Sequence, residues 1–276
     1  MKIKETLKRI SALALSLALG ASLCLVSCSD IPEDPVGSES GSVSDSDIPV
    51  IAGTDTPPGE VKKRVALTFD DGPHNVRTRE IVDELDKYGF HATFFVVGNR
   101  VDGEAYRGGD TLKYVVDHGN EVGIHGYTHE YYYDTCDEDT YLYELSATAD
   151  AIREYAGGYE VKLMRPVGGK FTEERLKACP YASVMWGVDS NDWQYKYGPD
   201  SELSEDEKRE RVNTIVDNVM STVSDGSIIL MHDIYLSTSD AVKIILERLH
   251  AEGYEVVTVS ELIGDVQPGV EYRHAP

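Results

Sequence analysis

The sequence predicts an α/β domain of parallel strands covered by helices, arranged as a barrel or as a doubly wound sheet. Two observations give the class. The strand-like segments are near-continuous apolar runs, as strands buried on both faces require, and each is followed by helical periodicity. A third observation bears on function. Ionisable residues gather directly after the apolar runs, at the C-terminal strand ends where such folds build their sites.

The first run, residues 65–69 (VALTF), ends in Asp70-Asp71-Gly72-Pro73, and the helical pattern behind it passes through Ile81, Leu85 and Tyr88. Residues 91–97 (HATFFVV) predict a strand, 111–118 a short helix closed by Gly119, and 121–124 the next strand. A longer helix is expected over 138–155, with Leu142, Leu145, Ala149 and Ile152 on its apolar face. The pattern continues with a short strand at 162–164, a short helix at 172–177 and a strand at 182–188. A helix over 205–223, a strand at 227–231 (SIILM), a helix over 240–251 and a last strand at 255–259 complete it.

The ends of the chain read differently. Lys2, Lys4, Lys8 and Arg9 precede an apolar run over 10–26, the pattern of a secretory signal, too short to prefer a stable membrane span. Residues 25–28 (LVSC) resemble a bacterial lipobox, so residues 1–27 are expected to be removed and Cys28 lipidated. Residues 28–60 are rich in Ser, Pro, Gly and acid and have no periodicity, which predicts a flexible tether. The folded domain is expected over 61–264 and a C-terminal tail over 265–276. The protein is therefore expected outside the cytoplasm, held on a bacterial membrane through a lipid anchor only; it is also expected to be a monomer. The formal net charge of −23 argues against nucleic acid as a partner. Cys136 and Cys179 are too few for a disulfide framework and are expected unpaired.

The pair Asp70-Asp71 poses the chemical question, because adjacent carboxylates make each other costlier to ionise. Turn chemistry accounts for one of them. A cation would let both stay charged, one as its ligand and the other as a base toward water. The histidines of HGYTH, His125 and His129, have a spacing that lets both imidazoles face one point, and with a carboxylate they form a Zn²⁺-like ligand set with open positions.

The stretches TFDDG (68–72), HGYTH (125–129), RPVGG (165–169), DSNDW (189–193) and LMH (230–232) resemble, in order, the five motifs of NodB-type polysaccharide deacetylases, carbohydrate esterase family four. The resemblance covers about residues 61–264. It implies a distorted (β/α) barrel with a divalent metal at its mouth, Zn²⁺ or alternatively Co²⁺ or Mn²⁺, and removal of acetyl groups from acetylated polysaccharide. Carried onto this chain, it makes Asp70 the general base, Asp71, His125 and His129 the metal ligands, and Arg165 the partner that orients Asp70. His232 becomes the general acid, paired with Asp192, and the Gly168 N–H an oxyanion donor. Trp193 and Leu230 would line the acetyl pocket. Two positions depart from the family pattern. Gly126 stands where Ser or Thr is usual, and Val167-Gly168 where Pro-Tyr is frequent. The expected activity is N-deacetylation of N-acetylglucosamine-type residues, with peptidoglycan as the substrate. The alternatives are an O-acetyl esterase on xylan or another glycan, and a glycan-binding lipoprotein without turnover. His74, His91, His118 and His250 are expected to be peripheral.

Overall fold

Every side chain of β1 (Lys63–Asp70) from Val65 onward is buried, and the strand is the hub of the sheet for that reason. The structure, a computed structural model, describes residues 62–103 and 108–276. The expected signal peptide, Cys28 and most of the expected tether lie outside the described residues.

β1 pairs with β7 (Ile228–His232) along one edge, and with β8 (Tyr254–Val256) and then β2 (Thr93–Val96) along the other. From β2 the sheet continues through β3 (Glu121–Ile124), β4 (Leu163–Met164) and β5 (Ala182–Val184) to β9 (Glu271–Tyr272), while β6 (Val188–Asp189) lies outside β7. All pairings between strands are parallel, and the sheet curls with helices over it, as a distorted (β/α) barrel requires. The helices are α1 (Arg77–Asp86), α2 (Gly98–Val101), α3 (Gly108–Asp117), α4 (Glu138–Tyr155), α5 (Glu173–Ala178), α6 (Glu205–Met220), α7 (Leu236–Ala251) and α8 (Val259–Ile263). Among the described residues no helix is long and apolar enough to cross a membrane.

Four local differences from the sequence reading have physical causes. The run expected as one strand over 182–188 divides into β5 and β6. The carbonyls of Val184 and Met185 accept from the Arg165 guanidinium instead of from a neighbouring strand. Beyond them the Gly187 N–H donates to Ile228, so the chain crosses from one sheet edge to the other. The last strand stops at Val256, because Thr258 and Glu261 form a reciprocal capping box that starts α8. α7 begins at Leu236, earlier than expected, with Thr238 and Ser239 hydrogen-bonded to Asp192 and Glu80. In α4, Leu142 is 50% exposed, and the buried face runs through Tyr141, Glu144, Leu145, Thr148, Ala149 and Ile152.

The segment read as a C-terminal tail also takes part in the sheet. β9 pairs with β5, and beyond it His274 bridges to Ser227 just before β7. Cys136 and Cys179 are both free, as expected.

Candidate active site

Parallel register alone brings the two ends of the proposed chemistry together. Asp70, the last residue of β1, is the direct partner of His232, the last residue of β7. Neighbouring strands lie about 4.8 Å apart, so base and acid candidates stand side by side at one rim. β3 and β4 deliver His125 and Arg165 to the same rim, one residue past their paired ends at Ile124 and Met164.

Arg165 is fully buried, which disfavours its charge, and Asp70 offsets part of that effect. Its Nη1 donates to Asp70 Oδ1 at 2.8 Å, while Nε and Nη2 donate to the carbonyls of Val184 and Met185. The guanidinium also lies over the Phe95 ring, 4.4 Å from its centroid. Its position is therefore fixed on several sides. Asp70 is left with Oδ2 turned toward His125 Nε2, 3.6 Å away.

His125 is buried, which pushes its imidazole below the ordinary range and so favours the neutral ring. Its Nδ1 lies 2.9 Å from the Arg165 carbonyl, which can only accept, so Nδ1 carries the proton and Nε2 presents a lone pair. That lone pair is 3.5 Å from Asp71 Oδ1, and His129 Nε2 is 3.0 Å from the same oxygen. Burial by itself would raise the Asp71 carboxyl, but His129, His125 and His232 hold it well below the usual carboxylate range. Asp71 raises His129 in turn, against a smaller opposing effect of burial.

Asp71 Oδ1 is buried yet accepts no hydrogen bond of proper geometry. A charged oxygen in that state, facing an imidazole lone pair, calls for a cation. One ligand atom from each of Asp71, His125 and His129 lies within 4.8 Å of the others, and one carboxylate with two imidazoles is a donor set suited to Zn²⁺ and its first-row neighbours. The residues present therefore fit a divalent metal. Two of the three, Asp71 (φ 74°) and His129 (φ 64°), hold left-handed backbone conformations. Such strain costs about 1–3 kcal/mol per residue and collects at functional sites.

On the opposite side His232 Nδ1 is 2.7 Å from Asp192 Oδ1. The second oxygen of Asp192 accepts from the His232 N–H and from the Thr238 hydroxyl, both at 2.7 Å. Burial opposes protonation of His232, but Asp192, with Asp70 and Asp71 further off, outweighs it and raises the imidazole to about 9. The protonated ring is thus favoured, as an acid role needs.

The profile of the polysaccharide deacetylase family matches residues 59–184. The chain is 38% identical over 201 residues to the peptidoglycan-N-acetylmuramic acid deacetylase PdaC of Bacillus subtilis, covering 73% of this chain and 39% of that protein. It is 31% identical to a peptidoglycan-N-acetylglucosamine deacetylase of Bacillus cereus, covering 73% of this chain and 89% of the relative. This chain belongs to the polysaccharide deacetylase family. Its fold matches a family 4 acetyl xylan esterase from Clostridium thermocellum, in complex with a cobalt ion, with a TM-score of 0.65 and 31% identity over 78% of this chain and all of the other. The chain spans about two-fifths of the length of PdaC and of the PgdA deacetylases of Listeria monocytogenes. Asp70, Asp71, His125, His129, Arg165, Asp192 and His232 thus lie together at one rim.

The remaining expected residues are placed less tightly. Gly168 sits in a 3-10 turn (Val167–Gly169) with φ 62°, where a Cβ would stand 2.8 Å from the Tyr132 ring, so glycine suits the position twice over. Leu230 is buried in β7, and Trp193 is 49% exposed, an open apolar face rather than a closed wall. The run Tyr131-Tyr132-Tyr133 divides, with Tyr133 in the core and the other two exposed. His74 caps the approach to α1 through Nδ1, and His118 and His250 pack on tyrosines.

Sequence reasoning missed Glu144 and gave no role to Asp233. Asp233 is fully buried beside Gly72; burial raises its carboxyl to about 7, and Thr78 donates to Oδ2. The buried stripe of α4 carries the signal for Glu144, since an acid on an apolar helix face asks for partners.

Proposed function

We propose that this chain is a metal-dependent hydrolase that removes N-acetyl groups from N-acetylglucosamine-type residues of peptidoglycan. The observation that carries the reading is the convergence at one rim of two held pairs, Arg165–Asp70 and Asp192–His232, beside the unsatisfied Asp71–His125–His129 cluster. A glycan-binding protein has no use for a braced base and a charged acid at one rim.

When bound, the divalent cation supplies Lewis-acid polarisation of the acetyl carbonyl and makes water more acidic. Arg165 orients Asp70 through Oδ1, and Asp70 Oδ2 takes the proton from the attacking water. The N–H of Gly168 donates to the carbonyl oxygen as it gains charge. His232, with Nδ1 engaged by Asp192, gives the proton on Nε2 to the departing sugar nitrogen, because an amine anion cannot leave unaided. Trp193 and Leu230 supply apolar surface for the acetyl methyl. Lipidation at Cys28 and the tether would hold the domain outside a bacterial membrane, within reach of wall glycan.

The likeness to an acetyl xylan esterase supports a second reading, O-deacetylation of xylan. Acetate release by the full chain, on peptidoglycan, a chitin oligomer and acetylated xylan with and without chelator, separates the two. Chelator-sensitive release from an N-acetyl substrate is expected; release from xylan alone would favour the esterase. An ester leaves more readily than an amide, so acetate release that survives His232→Ala would mark ester chemistry.

A further inference from the structure

The loop between the two metal histidines has no regular secondary structure, yet Gly126 is buried and Tyr127 and Thr128 are half-buried. Backbone groups in such a place need partners. The carbonyls of Gly126 and Tyr127 accept from the N–H groups of Gly98 and Asn99 at the start of α2, at 3.0 and 2.9 Å. The N–H groups of Tyr127 and Thr128 both donate to Glu144 Oε2, at 2.6 and 2.9 Å, and the Thr128 hydroxyl donates to Oε1 at 2.7 Å. One carboxylate from α4 thus takes three hydrogen bonds from two consecutive loop residues. It is itself 0% exposed.

Gly126 makes this approach possible. Its φ is 80°, and a Cβ there would stand 3.0 Å from Glu144 Oε2 and 3.1 Å from the Tyr133 hydroxyl. A hydroxyl side chain in its place would have to displace the carboxylate or strain the backbone. The bracing that a Ser or Thr at this position would give is supplied from across the loop.

The two histidines depend on that bracing unequally. His125 is anchored through Nδ1 to the Arg165 carbonyl. The His129 ring is 42% exposed and meets Asp71 and His125, both members of the cluster itself. Its direction is set by the backbone that carries it. We propose that Glu144 is a positioning residue of the metal site, clamping residues 127–128 so that His129 faces Asp71 and His125 before any metal arrives. The proposal rests on the reading of Asp71, His125 and His129 as metal ligands.

The test is Zn²⁺ affinity of the full chain by chelator competition, for the wild type, Glu144→Gln and Glu144→Asp. Glutamine keeps the reach and loses the charge, whereas aspartate keeps the charge and falls one methylene short. The clamp predicts near wild-type affinity for Glu144→Gln and a loss of about tenfold or more for Glu144→Asp, the range found for groups that orient ligands. Wild-type affinity in Glu144→Asp, or an equal loss in both, would overturn it. Hydrogen exchange on the metal-free wild type is a second measurement that needs no variant. Protected Tyr127 and Thr128 amides are expected, and rapid exchange there would show that metal, not Glu144, orders the loop. A wild type that binds no Zn²⁺ would defeat the metal reading itself; a wild type that binds, with Glu144→Asp unchanged, would defeat the clamp alone.

Discussion

β3 begins at Glu121, and β1 runs at its far end into Asp71, and the two buried carboxyls at opposite ends of the sheet behave in opposite ways. Glu121 accepts from the Thr93 hydroxyl and the Ser260 N–H through one oxygen, at 2.9 and 3.1 Å, and from the Ser260 hydroxyl through the other. Burial raises it, and neutral donors suffice for it. Asp71 is held low among imidazoles, with an oxygen that no hydrogen bond satisfies. The difference teaches how to separate structural from functional acids in this fold. A buried carboxyl ringed by hydroxyl and amide donors locks two elements together, whereas one left short of donors beside other ligating groups is waiting for a cation.

The contrast can be broken at several points. The largest effect is expected for Asp70→Asn, which removes the base but none of the Asp71–His125–His129 set. Single-turnover rates should fall by about 10²–10⁴-fold, with metal content by elemental analysis unchanged. Arg165→Met leaves the Asp70 charge buried without its partner, and denaturant unfolding should show a loss of about 3–5 kcal/mol.

Asp192→Asn acts through the acid. His232 stands above its ordinary value, so its protonated form, and the stability that its pairing contributes, is fully present below about 6.5. Both decline as pH rises through about 9. A cation beside Asp71 would offset part of that elevation. The alkaline limb of the N-deacetylation profile is therefore expected at or below pH 9 in the wild type and displaced to lower pH in Asp192→Asn. The smallest effect belongs to Glu121→Gln. Its raised carboxyl makes stability greatest below the ordinary glutamate value and lower as pH climbs through the raised one. The amide should leave acetate release unchanged, shift stability by no more than about 1 kcal/mol, and flatten that pH dependence in thermal melts.

Much of this was legible from residues adjacent in the chain. Apolar runs marked the strands, and because sites of parallel sheets lie at strand ends, each motif carried its address with it. What stayed hidden depends on groups distant in sequence. The division of 182–188 follows from Arg165 taking two carbonyls, a side-chain event that strand periodicity cannot express. β9 spans two residues and is defined by its neighbour β5, not by its own pattern. The Thr258–Glu261 capping box was readable and was outweighed by the apolar run before it. Glu144 carries its meaning only once α4 is seen to turn it toward the loop between His125 and His129.

The central claim is that the unsatisfied Asp71 oxygen is completed by a cation shared with two imidazoles. Calorimetric titration of Zn²⁺ into the metal-free full chain tests it most directly, comparing the wild type with Asp71→Asn and Asp70→Asn. The account predicts saturable binding in the wild type and in Asp70→Asn, and its loss in Asp71→Asn. Wild-type affinity in Asp71→Asn would contradict it.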